Sequence, residues 1–392
     1  MKDRTRVNHP PRVELPPDNR PLVAPIYQNV KFEFETVEEN ERYFRGERPG
    51  FYYSRSTNPT VRQLELTLAG LQGREDCLAL GSGIAAISVA MLTLLSAGDH
   101  VLCFAETYAS TVHAIRRLLG RFGVTHTMLS IEDEAGMEAA LAARPAKLVV
   151  FESPTNPVLK IADIARITAA ARAHGALTLM DNTFAGFHNH GQYPVDLFVH
   201  SLTKYASGHG DVMGGAIIAD RALLARMRGD ANVIGAALDP HAAFLIQRGL
   251  RTYFVRYEAE CRAAQRIAEF LALHPAVEAV SYPGLTSHRR HALARAQMKD
   301  FGTIVSLDLR GGAEAAARFV DALELFASVA SLGSTESLVI PARLQSQQHL
   351  GAEERGWAAM RPGTIRLSVG LEDVDDLIAD LERGLAAAAG GG

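Results

Sequence analysis

Between about residues 60 and 228, short runs of β-forming apolar residues alternate with longer stretches of helical periodicity, and no other feature of the chain restricts its fold so tightly. The β-type runs are 77–80, 101–105, 147–151, 177–180 and 197–199, with helix candidates such as 84–95 and 161–173 between them. A strand that returns after a helix lies parallel to its predecessor, so the spacing predicts an α/β domain on a mainly parallel sheet. A helical pattern over roughly 240–273 then leads to strand candidates 277–281, 303–308 and 364–369, beside helices 313–322 and 374–387. That mixture reads as a smaller C-terminal α+β domain. The start of the chain is rich in Pro, Arg and Glu without sustained periodicity, and implies an extended arm that grips something else. The expected division is therefore an arm over 1–60, an α/β domain over 61–250 and an α+β domain over 251–392.

Composition narrows the class of partner. With 392 residues, 47% of them apolar, the chain can bury a large core. Its formal net charge of −4 lacks the basic excess that phosphate-backbone binding requires, so a small molecule is expected and nucleic acid is not. Cys77, Cys103 and Cys261 are odd in number, scattered through apolar stretches and without metal-ligand spacing, which fits reduced core thiols. Residues 1–20 lack the apolar run of a signal peptide, which makes the cytoplasm the expected compartment. The apolar stretch 85–95 is too short to span a bilayer and contains Ser88 and Thr93, so no membrane segment is expected.

The chemistry concentrates in residues 180–215. Lys204 follows the β-type run 197–199 and precedes a glycine-rich turn, at the end of a strand, where ligands gather in open α/β sheets. A lone lysine is usually a surface residue, but this one has unusual neighbours. If 199–203 is extended, Ser201 and Thr203 point to one side and both hydroxyls can donate to a phosphate. A desolvated amine beside a phosphate site suits a Schiff base with an aldehyde cofactor. Asp181 ends the preceding strand, where it either caps a turn or holds a pyridine nitrogen protonated. Upstream, Gly81-Ser82-Gly83-Ile84 joins a strand to a helix whose first N–H groups can face an anion, a weak signal on its own. Tyr108 is either ordinary core or a surface on which an aromatic ring stacks. Arg366, mid-strand between Ile365 and Leu367, is suited to binding a carboxylate through two parallel hydrogen bonds, the alternative being a structural ion pair.

Five segments together resemble a known family: 53–60 (Tyr-Ser-Arg-Ser-Thr-Asn-Pro-Thr), 152–157 (Glu-Ser-Pro-Thr-Asn-Pro), Asp181-Asn182-Thr183, Ser201-Leu202-Thr203-Lys204-Tyr205 and 366–372 (Arg-Leu-Ser-Val-Gly-Leu-Glu). The chain is similar to the Cys/Met-metabolism (trans-sulfuration) pyridoxal-phosphate enzymes, in order, from about Phe51 to the end. The resemblance implies a fold-type I transferase with pyridoxal 5'-phosphate on Lys204, Asp181 at the pyridine nitrogen and Tyr108 on the ring. It implies a phosphate held by Ser201, Thr203, Gly83 and Ile84, Asn156 near the phenolic oxygen, and Arg366 with Ser331 on the substrate carboxylate. It further implies that Tyr53 and Arg55 reach a neighbouring subunit's phosphate, and that the protein is a homo-oligomer, a tetramer built as a dimer of dimers.

The free lysine is then expected to act as base on the Cα proton, ahead of elimination or replacement. Departures from the family pattern bear on the substrate. Relatives that handle cystathionine often place carboxylates where this chain has Tyr52 and Ala330. Without them a distal ammonium forfeits charge-assisted hydrogen bonds of roughly 1.5 to 3 kcal/mol each. Leu332 replaces the tryptophan of bacterial β-lyases, and Ala109 and Ser110 replace the glycine and cysteine typical of methionine γ-lyase. The segment Arg343-Leu344-Gln345-Ser346 also departs from the pattern and suggests a pocket wall with different polar groups. The expected activity is γ-elimination or γ-replacement on a homoserine-type amino acid, methionine γ-lyase-like, with an O-linked substrate such as an O-acylhomoserine or canavanine included. Cystathionine γ-synthase or β-lyase activity is the alternative, and an aminotransferase a weaker one.

Overall fold

The computed structural model describes residues 15–16, 18–344 and 350–390. Its larger sheet has seven strands: β1 (Asp76–Leu80), β2 (His100–Phe104), β3 (Thr125–Leu129), β4 (Leu148–Glu152), β5 (Leu177–Asp181), β6 (Leu197–Ser201) and β7 (Gly215–Ala219). They are ordered β1-β7-β6-β5-β4-β2-β3. All neighbours are parallel except β7, which runs antiparallel to both β1 and β6. The mainly parallel α/β arrangement is thus present, with β3 and β7 added to the strands the sequence pattern marks. β3 reads Thr-His-Thr-Met-Leu, too polar to stand out, and β7 follows directly on glycines.

The second sheet has five strands: β8 (Val277–Ser281), β9 (Ile304–Leu309), β10 (Ala327–Ser328), β11 (Leu338–Pro341) and β12 (Thr364–Ser368), ordered β10-β11-β12-β9-β8. The pattern over 240–273 resolves into two helices, Pro240–Leu250 and Tyr253–Leu273. The chain turns between them where Gly249 meets the Ser207 carbonyl so closely that a Cβ would lie 2.3 Å from that oxygen. The early segment is extended in part, with Lys31 bridging Tyr53, and also contains the helix Val37–Phe44, whose Thr36 side chain accepts the Glu39 N–H.

Apolar residues fill both faces of the larger sheet. Phe104, Phe151 and Phe198 pack on one face, and Val101, Leu179 and Ile217 on the other. Each buried side chain of this size contributes about 1.5–3 kcal/mol. A third core covers the smaller sheet through Val305, Leu307, Leu367 and Leu381. The helix Tyr253–Leu273 serves two of these cores: Tyr253, Tyr257 and Cys261 belong to the first, and Ala264, Ile267 and Leu271 to the third. Among the described residues, no helix is long and apolar enough to cross a membrane.

Candidate active site

The carboxyl ends of the parallel strands open onto a cavity of about 430 Å³, closed on the far side by Ser331 and Arg366 from the second sheet region. Gly83, Ile84, Tyr108, Asn156, Asp181, Ser201, Thr203, Lys204, Ser331 and Arg366 all line it. Tyr53 and Arg55 do not. In this chain the Arg55 guanidinium stacks over the Tyr53 ring at 4.9 Å and donates to Asn232 Oδ1 at 3.0 Å.

Lys204 stands on a tight turn. Strand β6 ends at Ser201, the Lys204 N–H returns to the Ser201 carbonyl at 3.2 Å, and Leu202 N–H donates to Gly214 O at 2.9 Å. Residues 199–203 are therefore not extended throughout, and strand alternation is not what places the two hydroxyls. The turn places Thr203 instead, its Oγ1 accepting the Gly214 N–H at 3.1 Å. Lys204 Nζ donates to Ser331 Oγ at 2.9 Å. Burial, reinforced by the positive charge of Arg366, lowers the pKa of its amine, as a proton-accepting lysine requires.

At one end of the cavity Ser82 caps the helix Gly83–Leu94 by accepting the Ala85 N–H at 3.1 Å. This leaves the N–H groups of Gly83 and Ile84, at the start of the helix, available to an anion. Glycine is required here by space: a Cβ on Gly83 would lie 2.9 Å from the Ser201 Cβ and 3.1 Å from its Cα.

Asp181 closes β5, and its Oδ1 accepts both the Thr183 N–H at 3.0 Å and the Thr183 hydroxyl at 2.6 Å. Burial pushes its carboxyl up against those two hydrogen bonds. In register beside it on β4 is Glu152, whose carboxyl is driven well up by burial and then by the Asp181 charge. Sequence reasoning assigned no role to Glu152 or Thr183, although both fall within its motifs. The pairing of the two acids shows only in the register of β4 on β5.

Arg366 is buried, 4% exposed, and burial lowers its pKa to about 10, which leaves it cationic at neutral pH. Nη1 donates to Asn156 Oδ1 at 3.0 Å and Nη2 to the Ser331 carbonyl at 2.7 Å, while Nε has no partner among the described residues. A buried guanidinium donor without an acceptor is costly unless a ligand supplies one. Ala109, Ser110, Ala330 and Leu332 also line the cavity, whereas Tyr52, Arg343 and Leu344 do not. Gln345 and Ser346 lie outside the described residues.

A lowered-pKa lysine, a carboxylate on a neighbouring strand, a glycine-opened helix start and an orphaned guanidinium donor fit the amine, ring nitrogen, phosphate and carboxylate that a pyridoxal-phosphate site must serve. The chain belongs to the Cys/Met metabolism PLP-dependent enzymes, whose family model matches residues 11–386. It is 42% identical over 372 residues to the L-methionine gamma-lyase of Pseudomonas putida, covering 94% of this chain and 93% of that protein. It is 38% identical over 364 residues to the O-succinylhomoserine sulfhydrylase of Pseudomonas aeruginosa, covering 92% and 90%. The crystal structure of cystathionine gamma synthase from Xanthomonas oryzae pv. oryzae, in complex with aminoacrylate and cysteine, superposes with a TM-score of 0.87 at 35% identity, over 93% of this chain and 92% of that one.

Proposed function

We propose that this enzyme catalyses γ-elimination or γ-replacement on a homoserine-type amino acid with a heteroatom leaving group at Cγ, O-linked compounds such as O-acylhomoserines or canavanine among its substrates. One observation carries the reading. Among the described lining residues the carboxylates are Glu152 and Asp181, and both are engaged at the strand ends. The remaining wall, Ala109, Ser110, Ala330 and Leu332, offers no acid to a distal ammonium. The γ-lyase and the sulfhydrylase among its relatives support the same regiochemistry.

When bound, pyridoxal phosphate supplies an aldehyde that captures an amine and a ring that accepts the electron pair left at Cα. In this reading Lys204 is its anchor, Asp181 faces the ring nitrogen and Tyr108 the ring, and Ser201, Thr203, Gly83 and Ile84 hold the phosphate. Arg366 takes the substrate carboxylate, with Ser331 and Asn156 fixing the guanidinium. Held there, the substrate presents its Cα proton to Lys204 Nζ, whose lowered pKa suits it to accept that proton and deliver it elsewhere. Tyr53 and Arg55 serve the phosphate of a neighbouring subunit, and the working form is a tetramer of paired dimers in the cytoplasm. The test is a panel of methionine, O-acetylhomoserine, O-succinylhomoserine, canavanine, cystathionine and cysteine, with and without sulfide. Release of 2-oxobutanoate or homoserine-derived products is expected, and best turnover on cystathionine or cysteine with pyruvate would overturn the γ-assignment.

A further inference from the structure

We infer that Glu152 is a positioning residue of this site: one buried carboxylate sets both the Tyr108 ring and the Asn156 amide by accepting the backbone N–H groups of the two residues. The inference rests on reading the cavity as the cofactor and substrate site. Glu152 Oε2 accepts the Tyr108 N–H at 2.9 Å, and Oε1 accepts the Asn156 N–H at 2.8 Å. The two donors come from different loops, one after β2 and one after β4, which are adjacent in the sheet. Asn156 in turn accepts from Arg366 on β12 in the other sheet. Glu152 therefore ties two loops directly and, through the Asn156 amide, is linked to a third element, β12, at the cavity.

The cost of keeping an acid here argues for a role. Glu152 is 6% exposed, ends an otherwise apolar strand (Leu-Val-Val-Phe-Glu) and lies in register with a second carboxylate, Asp181. Burying like charges side by side is unfavourable, and an apolar residue would close the strand end more cheaply. What an apolar residue lacks is two acceptor oxygens pointing to opposite sides. Glutamine, of the same size, has one acceptor and would set its NH2 against one of the two N–H groups.

The experiment compares the holoenzyme with Glu152→Gln, Asn156→Ala and the double variant. The readouts are thermal midpoint, visible circular dichroism of the bound cofactor, and KM and kcat on the best substrate of the panel. Glu152→Gln is expected to fold but melt below the parent, to show altered cofactor dichroism as Tyr108 shifts, and to raise KM about tenfold, the scale of one buried hydrogen bond left unmade. Added to Asn156→Ala it should raise KM little further, because its effect on substrate passes through that amide. Unchanged dichroism and KM, or KM effects that simply multiply, would overturn the role. If Glu152→Gln does not fold, Glu152→Asp, which keeps the carboxyl group but is too short to reach both N–H groups, takes the same readouts. A normal Glu152→Gln enzyme beside an inactive Lys204→Ala variant sinks only this inference, whereas an active Lys204→Ala variant sinks the reading of the cavity.

Discussion

At the scale of single residues, the site is recognisable in the sequence where chemistry and spacing coincide. Lys204 stands out because hydroxyls and glycines surround it, and Arg366 because a guanidinium alternates with large apolar side chains. Glu152 does not, because an acid at the end of an apolar run looks like a strand reaching solvent, and only the register with Asp181 shows where it lies. Glu260 was equally hidden. It is fully buried on the helix Tyr253–Leu273, and neither carboxyl oxygen has a partner among the described residues. Burial, against the pull of Arg256 and with the push of Glu372, raises its pKa to about 8 from an ordinary 4.5. The folded state thus prefers the protonated form more than the unfolded chain does. Stability from this group is full below pH 4.5 and is lost as pH rises through about 8. Glu260→Gln, which cannot ionise, should melt like the parent near the acid limit and progressively above it as pH rises to about 8, levelling off beyond. Melting curves across that range check this, and a constant offset at every pH would refute it.

At the scale of elements, periodicity marked most strands of both sheets but passed over the polar β3 and also β7 and β11, which are apolar but flanked by glycine or ended by proline. The burial of β2, β4 and β7 is complete, yet β7 is prefaced by glycines that read as loop. The strand argument for Ser201 and Thr203 failed for a related reason: a turn closed by Gly214, distant by eleven residues from Thr203, is invisible to local pattern. The helix Gly83–Leu94 offers a direct test of element placement. Gly83→Ala forces a methyl against Ser201 and pushes the helix start away from the cavity, where the proposed reading puts the phosphate. Loss of one hydrogen bond to a charged group weakens cofactor affinity about tenfold or more. Absorbance titration of the apo form with pyridoxal phosphate measures this, and unchanged affinity would detach the helix start from the phosphate.

At the scale of the whole molecule, the family resemblance implies what periodicity cannot, that Tyr53 and Arg55 serve a neighbouring chain. Tyr53 and Arg55 stack on one another away from their own cavity. If each completes a neighbour's site, an inactive Arg55→Ala enzyme mixed with an inactive Lys204→Ala enzyme under subunit exchange should regain part of the parent activity. A hybrid pair then has one site with both residues intact, and persistent inactivity of the mixture counts against the divided site. The same placement has a kinetic meaning. A site split between two chains makes turnover depend on encounter, so that at high dilution the rate grows with the square of protein concentration and specific activity falls, even with cofactor in excess.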